Sequence, residues 1–395
     1  MKYPMSASTW GREEENLFHI FATADRHTMG PKTEEFEQAF AKKFGVKHAL
    51  FVSSGSMANL VALSSLIYSH QYSLSRGDEV IVPAISWATT YYPLMQYGLK
   101  LIFVDVDLKT LNMDVQQIRH AVNDRTKMIV SVNILGNPCE QSEIASICEE
   151  ENLIWFEDNC ESMGASFMGA QCGTFGDIGT FSTFFSHHIS TVEGGLIVTD
   201  DKDLYDCCKS LRAHGWTRDI PDARIFKKGS DDFYEKYRFI LPGYNARPQE
   251  LNAAIGIEQL KKLDSFLAIR RQNAVHFQEL FNDDERFIIQ RETGNSSWFA
   301  FTMICNPICN VDRDAVLRKL ALNGIEHRIV TGGCFPRHDV IKYADWETAG
   351  VGERAALPNA NMIHDNGFFV GNYAVNLRDN LDKLHHILEE MTLEG

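Results

Sequence analysis

The chain has 395 residues, of which 44% are hydrophobic and 23% charged. One hydrophobic core stops growing at roughly 250–300 residues, so this length and composition exclude a small binding module and a disordered chain and favour a large domain with a smaller one. Lys and Arg number 38 against 53 Asp and Glu, a net charge of −15, and such a field repels phosphate backbones and removes nucleic acid from the expected partners.

Residues 1–16 contain no apolar leader-like run, and the longest apolar stretch, near residues 60–68, falls well short of the ~20 residues that span a bilayer. A cytoplasmic protein without a membrane partner is expected. From residue 49, β-branched runs alternate with helical patterns: strands at 49–53, 79–82, 101–105, 128–133, 153–157, 179–184 and 196–199, with helices at 57–68 and 87–97 between them. Runs this uniformly apolar suit strands covered on both faces, so the alternation predicts an α/β fold with a mostly parallel sheet. After Asp231 the composition turns aromatic and charged; a long helical pattern from 249 to about 280 then leads to a strand at 297–304 and helices at 312–322 and 379–390. The expected division is a large domain over 1–248 and a smaller α+β domain over 249–395. Nine scattered cysteines without a C-x-x-C pair read as reduced, mostly buried thiols and predict no metal centre.

No dinucleotide, P-loop, serine-hydrolase or zinc-protease motif occurs, so the chemistry must lie in other segments. In the first, a strand ends in Ser53-Ser54-Gly55-Ser56 directly before a helix; free backbone N–H groups at a helix start suit an anion, and an ordinary serine cap is the alternative. In the second, an apolar strand ends in Glu157-Asp158, carboxylates at the edge where open α/β sheets bind ligands. The third, residues 179–195, sets His187 and His188 among Ser and Thr ahead of Glu193-Gly194-Gly195, which reads as a site loop.

The order of these parts resembles fold-type I pyridoxal-phosphate enzymes, and the motifs resemble the DegT/DnrJ/EryC1/StrS family. Ser53-Ser54-Gly55-Ser56 matches the family's phosphate cup, Ile81 to Trp87 its ring-stacking segment, and Glu157-Asp158-Asn159-Cys160-Glu161 its Glu-Asp signature. The resemblance implies an aspartate aminotransferase-like large domain with a mostly parallel mixed sheet. It assigns contacts with pyridoxal or pyridoxamine 5'-phosphate to Gly55, Ser56, Trp87, Asp158, Glu161, Ser182 and Asn245. Asn245 would act from the neighbouring subunit, which implies a homodimer with shared sites.

The family's aminotransferases carry a Schiff-base lysine seven residues before the first glycine of the Gly pair; here that position is His187, and residues 128–201 contain neither Lys nor Arg. A histidine in this slot resembles the sugar 3-dehydratase branch, without the clustered cysteines of its iron–sulfur members. The resemblance implies glutamate-dependent C3 deoxygenation of a nucleotide-linked 4-keto-6-deoxy sugar, GDP-4-keto-6-deoxy-D-mannose, with release of ammonia. His187 would be the catalytic acid/base, and His214, Arg218, Arg247, Glu326 and Arg328 the substrate contacts. At 324–333 the chain departs from the branch pattern, with Ile329 where Pro follows the Arg. The competing readings are an aminotransferase using a lysine from elsewhere, such as Lys202, and a cofactor-binding sensor without chemistry.

Overall fold

The computed structural model describes residues 2–22, 25–220, 226–349 and 357–393. Its strands are β1 His48–Val52, β2 Glu79–Pro83, β3 Lys100–Val104, β4 Thr126–Val132, β5 Ile154–Asp158, β6 Ser166–Phe167, β7 Ala170–Gln171, β8 Ile178–Ser182, β9 Gly195–Thr199, β10 Phe287–Ile289, β11 Ala300–Cys305, β12 His327–Arg328, β13 Asp345–Thr348 and β14 Gly367–Gly371. Eight of them form one sheet in the order β1-β9-β8-β5-β4-β2-β3-β13. β9 pairs antiparallel with both β1 and β8, and every other pair in this sheet is parallel. All strands but β9 therefore run the same way, and the carboxyl ends of β1, β2, β5 and β8 share one edge.

The period-2 rule places successive side chains on opposite faces, and both faces are covered. Val80, Val82, Leu101, Phe103, Met128 and Val130 enter one core with helix Gly55–Tyr68, while Ile81, Ile102, Val104 and Ile129 enter another with Ile144 and Trp155. That double burial is the reason the strand sequences are continuous apolar runs. No described helix is long and apolar enough to cross a membrane.

A four-stranded antiparallel sheet, β10-β11-β14-β12, forms the smaller unit. Helix Glu250–Phe281 joins the units, and at 32 residues it is about 48 Å long. Its first half packs Ala253, Ile257, Leu260 and Leu263 with Phe36, Phe40 and Phe181, and its second half places Ala274, Phe277 and Phe281 in the small-unit core with Trp298 and Phe301. The chain crosses the expected 248/249 division in both directions. Tyr3 is buried in the small unit and donates to Gly371 O at 2.6 Å, and β13, from the C-terminal part, pairs with β3 at the edge of the large sheet.

Candidate active site

Helix Gly55–Tyr68 begins directly after β1. Ser54 caps it, its hydroxyl accepting from Met57 N at 3.1 Å, which leaves the first-turn N–H groups of Gly55 and Ser56 facing outward at the positive end of the helix dipole. Position 55 must be glycine: a Cβ there would lie 2.7 Å from Ser182 Cβ and 3.1 Å from Cys160 Sγ. Gly195 likewise admits the Ser54 carbonyl where a side chain would collide with it. The two glycines thus bring the helix start against the ends of β8 and β9, forming a cup of backbone amides with the Ser56 and Ser182 hydroxyl groups beside it.

At the end of β5 the adjacent acids diverge. Glu157 points into the protein and accepts from Gly173 N, Phe175 N and Gly176 N at 2.7–2.8 Å, which folds the β6–β8 connection; burial raises its pKa to about 7 against those three bonds. Asp158 points towards the cup. Its Oδ2 accepts from Asn59 Nδ2 at 2.8 Å and Thr90 Oγ1 at 2.7 Å, and its Oδ1 from Cys160 N at 3.1 Å. Glu161 accepts from Leu135 N at 3.0 Å, and burial, with Asp158 nearby, pushes its pKa up to about 7.

The two histidines also diverge. His188 is fully buried, with its Nε2 3.1 Å from Ser297 O. His187 borders the cavity between Phe184 and Phe299, at ring distances of 5.9 and 5.1 Å, and its Nδ1 is buried without a hydrogen-bond partner among the described residues. Burial, and then the charge of Arg270 behind it, lower the His187 pKa to about 3. Arg270 is itself buried and donates to the carbonyls of Phe299, Asn372 and His187.

These groups surround one cavity of about 660 Å³. Gly55, Ser56, Trp87, Asp158, Glu161, Ser182, His187 and Arg328 all line it, so eight of the candidate residues meet at the shared strand edge. Trp87 is 60% exposed, leaving an indole face free to stack. The small unit closes the opposite side with Arg328, Ile329, Thr331, Gly332 and Phe369.

Five candidates lie elsewhere. The Glu326 carboxylate accepts from Met5 N at 3.0 Å, which ties it to the N-terminal segment outside the cavity lining. Asn245 accepts from Arg247 Nε at 2.9 Å, and the Arg218 guanidinium covers the Trp216 ring at 4.1 Å, with His214 on another side of that ring. These four form a separate lobe outside their own chain's cavity. Lys202 is also remote: it caps its ion pair with Asp206 in the helix after β9, and no lysine lines the cavity among the described residues. Reading the motifs missed Asn59, Thr90, Phe299 and Thr331. Asn59 carried a signal, a polar residue one helical turn beyond Gly55 in an apolar helix; the others are brought in by tertiary folding.

The DegT/DnrJ/EryC1/StrS aminotransferase family model matches residues 9–387. The GDP-4-keto-6-deoxy-D-mannose 3-dehydratase of Yersinia pseudotuberculosis is 45% identical over 393 residues, covering 99% of both chains; that of Escherichia coli O55:H7 is 46% identical over 392, covering 98% of this chain and all of the relative. Among solved structures, a GDP-4-keto-6-deoxymannose-3-dehydratase with a trapped PLP-glutamate geminal diamine superimposes with a TM-score of 0.94 at 46% identity, over 98% of this chain and 100% of that one. Helicobacter pylori PseC, an aminotransferase, shares the fold at 22% identity with a TM-score of 0.85, over 100% of both chains. With the family model spanning nearly the whole chain and relatives this similar along their full length, the chain belongs to the DegT/DnrJ/EryC1/StrS aminotransferase family.

Proposed function

We propose that the chain is a pyridoxal/pyridoxamine 5'-phosphate- and glutamate-dependent 3-dehydratase acting on a nucleotide-linked 4-keto-6-deoxy sugar, GDP-4-keto-6-deoxy-D-mannose. One observation carries the reading: a cavity built like an aminotransferase site has an imidazole, His187, and no lysine on its walls among the described residues. The cavity suits the cofactor, because the amide cup opened by Gly55 fits a phosphate, the exposed Trp87 face fits a planar ring and the Asp158 carboxylate fits a ring N–H. When bound, the cofactor supplies an amine for the substrate's 4-keto carbon and a protonated pyridine ring that accepts electrons.

In this reading Gly55 N, Ser56 and Ser182 hold the phosphate, Trp87 stacks on the ring, and Asp158 and Glu161 border it. With Nδ1 of His187 sealed in, proton exchange with the cavity falls to Nε2, which takes a proton on one side of the reaction and returns one to the departing C3 hydroxyl. The low pKa keeps the imidazole neutral and ready to accept, and an anionic ligand beside it raises its basicity towards the working range. The overall change balances: sugar and glutamate give the 3-deoxy sugar, 2-oxoglutarate and ammonia, the electron pair coming from glutamate and the C3 oxygen leaving as water that hydrolysis consumes.

Arg328, the one cation on the cavity wall among the described residues, is proposed to meet the substrate. His214, Arg218, Asn245 and Arg247 are proposed to serve the site of a second copy. Phe233, Tyr237 and Phe239, beside them in the chain, are 76%, 57% and 60% exposed, an aromatic surface that supports a homodimer. The test is a single turnover: mixed with glutamate alone, the cofactor-loaded protein releases 2-oxoglutarate equal to its bound cofactor, with absorbance moving to the pyridoxamine form. No release identifies a binder without chemistry and overturns the reading.

A further inference from the structure

Asp158 sits in a hydrogen-bond network whose proton directions are fixed by its chemistry. A carboxylate oxygen accepts, so Thr90, 2.7 Å from Oδ2, spends its single proton there; Ser86 Oγ, 2.8 Å from Thr90 Oγ1, must then donate to Thr90. On the other side Asn59 turns its Nδ2 to Oδ2 at 2.8 Å, an orientation the acceptor-only carboxylate imposes, and its Oδ1 accepts from Thr180 Oγ1 at 2.6 Å. A second bond from Asn59 Nδ2 to Thr89 O, at 3.2 Å, holds the same orientation. Ser86, Thr90, Asn59 and Thr180 are all buried.

The Thr90 hydroxyl and one Asn59 amide proton point at Oδ2, and Oδ1 accepts the Cys160 amide at 3.1 Å, with the Cys160 thiol also hydrogen-bonded to this carboxyl group. A protonated Asp158 would have to donate to Thr90 Oγ1, which gives up the Thr90 donor and reverses the Thr90–Ser86 bond, while the Asn59 amide nitrogen on the same oxygen can only donate. We infer that Asn59 and Thr90 are positioning residues that hold the proton shared between Asp158 and a bound pyridine on the ring nitrogen, with Thr180 and Ser86 orienting them. The inference rests on the cavity being the cofactor site. Proton count is unchanged throughout: the choice lies between a ring N–H facing a carboxylate and a bare ring nitrogen facing a carboxylic acid, and two donors on Oδ2 favour the first. Glu161 is the other acid close to Asp158, and burial, with that neighbour, raises its pKa to about 7, so any charge it carries opposes the Asp158 charge that the two donors stabilise.

The experiment loads the full-length protein with pyridoxal 5'-phosphate carrying 15N in the ring and reads the nitrogen chemical shift, which separates protonated from bare pyridine without turnover. The parent protein gives the protonated signal. Thr90→Val and Asn59→Leu, close in shape and lacking the donor, each move the balance towards bare nitrogen by about tenfold, while Thr90→Ser, which keeps a hydroxyl, stays with the parent. Asp158→Asn serves as reference. If it shifts the signal and both Thr90→Val and Asn59→Leu, folded and loaded, do not, the network has no such role; if Asp158→Asn leaves the signal in place, the assignment of this cavity to the cofactor falls as well. The two arms of the network are independent, so either variant decides if the other fails to fold.

Discussion

At position 187 the imidazole faces the cavity, as its one histidine among the described residues, with the carboxyl groups of Asp158, Glu161 and Glu193 on the same walls. His187→Asn should therefore retain cofactor and glutamate binding while turnover falls by about 10²- to 10⁴-fold, roughly 3 to 5 kcal/mol of barrier. His188→Asn should keep turnover within a few-fold and lower the melting temperature instead, because His188 is a buried group tied to Ser297 O. Steady-state rates and melting curves separate the two, and a larger rate loss at His188 would exchange their roles. The sign of a linked pH effect also follows. His187 is neutral when folded down to about pH 3 but protonates near 6.5 in an unfolded chain, so between those values the unfolded state binds more protons and this group weakens folding as pH falls. In the cofactor-free protein, the melting temperature of His187→Asn relative to the parent should rise as pH drops from 7 towards 4; a constant difference would place His187 in a wetter setting. Seven-residue spacing to Gly194 was enough to distinguish the two histidines in the sequence. Asn59 and Thr90 were not legible, because their role depends on Asp158, 99 and 68 residues away, and no local pattern records such a meeting.

Among the elements, the start of helix Gly55–Tyr68 is the most constrained. Gly55→Ala would place a methyl group 2.7 Å from Ser182 Cβ, forcing the helix away from β8. The expected result is a loss of at least tenfold in affinity for pyridoxal 5'-phosphate by fluorescence titration, with about 1–3 kcal/mol of destabilisation; unchanged affinity would separate this cup from the phosphate. Apolar runs and their turn residues made β1 to β5, β8 and β9 readable to within a few residues. β13 was not: Asp345–Thr348 has a half-exposed edge pattern, and only its parallel pairing with β3 makes it a strand. The setting of Glu326 was unreadable for a similar reason, since nothing near it in sequence announces that Met5 N will donate to its carboxylate.

For the whole molecule, the lobe bearing His214, Arg218, Asn245 and Arg247 stands outside its own cavity, and the proposed homodimer gives it a site to complete. Heterodimers of a His187→Asn chain with an Asn245→Ala chain should regain up to half of the parent activity per dimer, because one site would combine an intact His187 with an intact partner Asn245. Verified heterodimers without restored activity would return Asn245 to its own chain. The pairing was inferred from resemblance, because a contact between copies leaves no periodicity in one chain. The chemistry itself is decided most directly by product analysis: the protein, cofactor, glutamate and GDP-4-keto-6-deoxy-D-mannose are incubated together, and the sugar is identified by mass alongside 2-oxoglutarate and ammonia. A lysine-free cavity acting through His187 gives a sugar lacking the C3 oxygen, with equimolar 2-oxoglutarate and ammonia. A sugar that keeps its C3 hydroxyl and gains nitrogen at C4, with no ammonia released, would show an aminotransferase and contradict it.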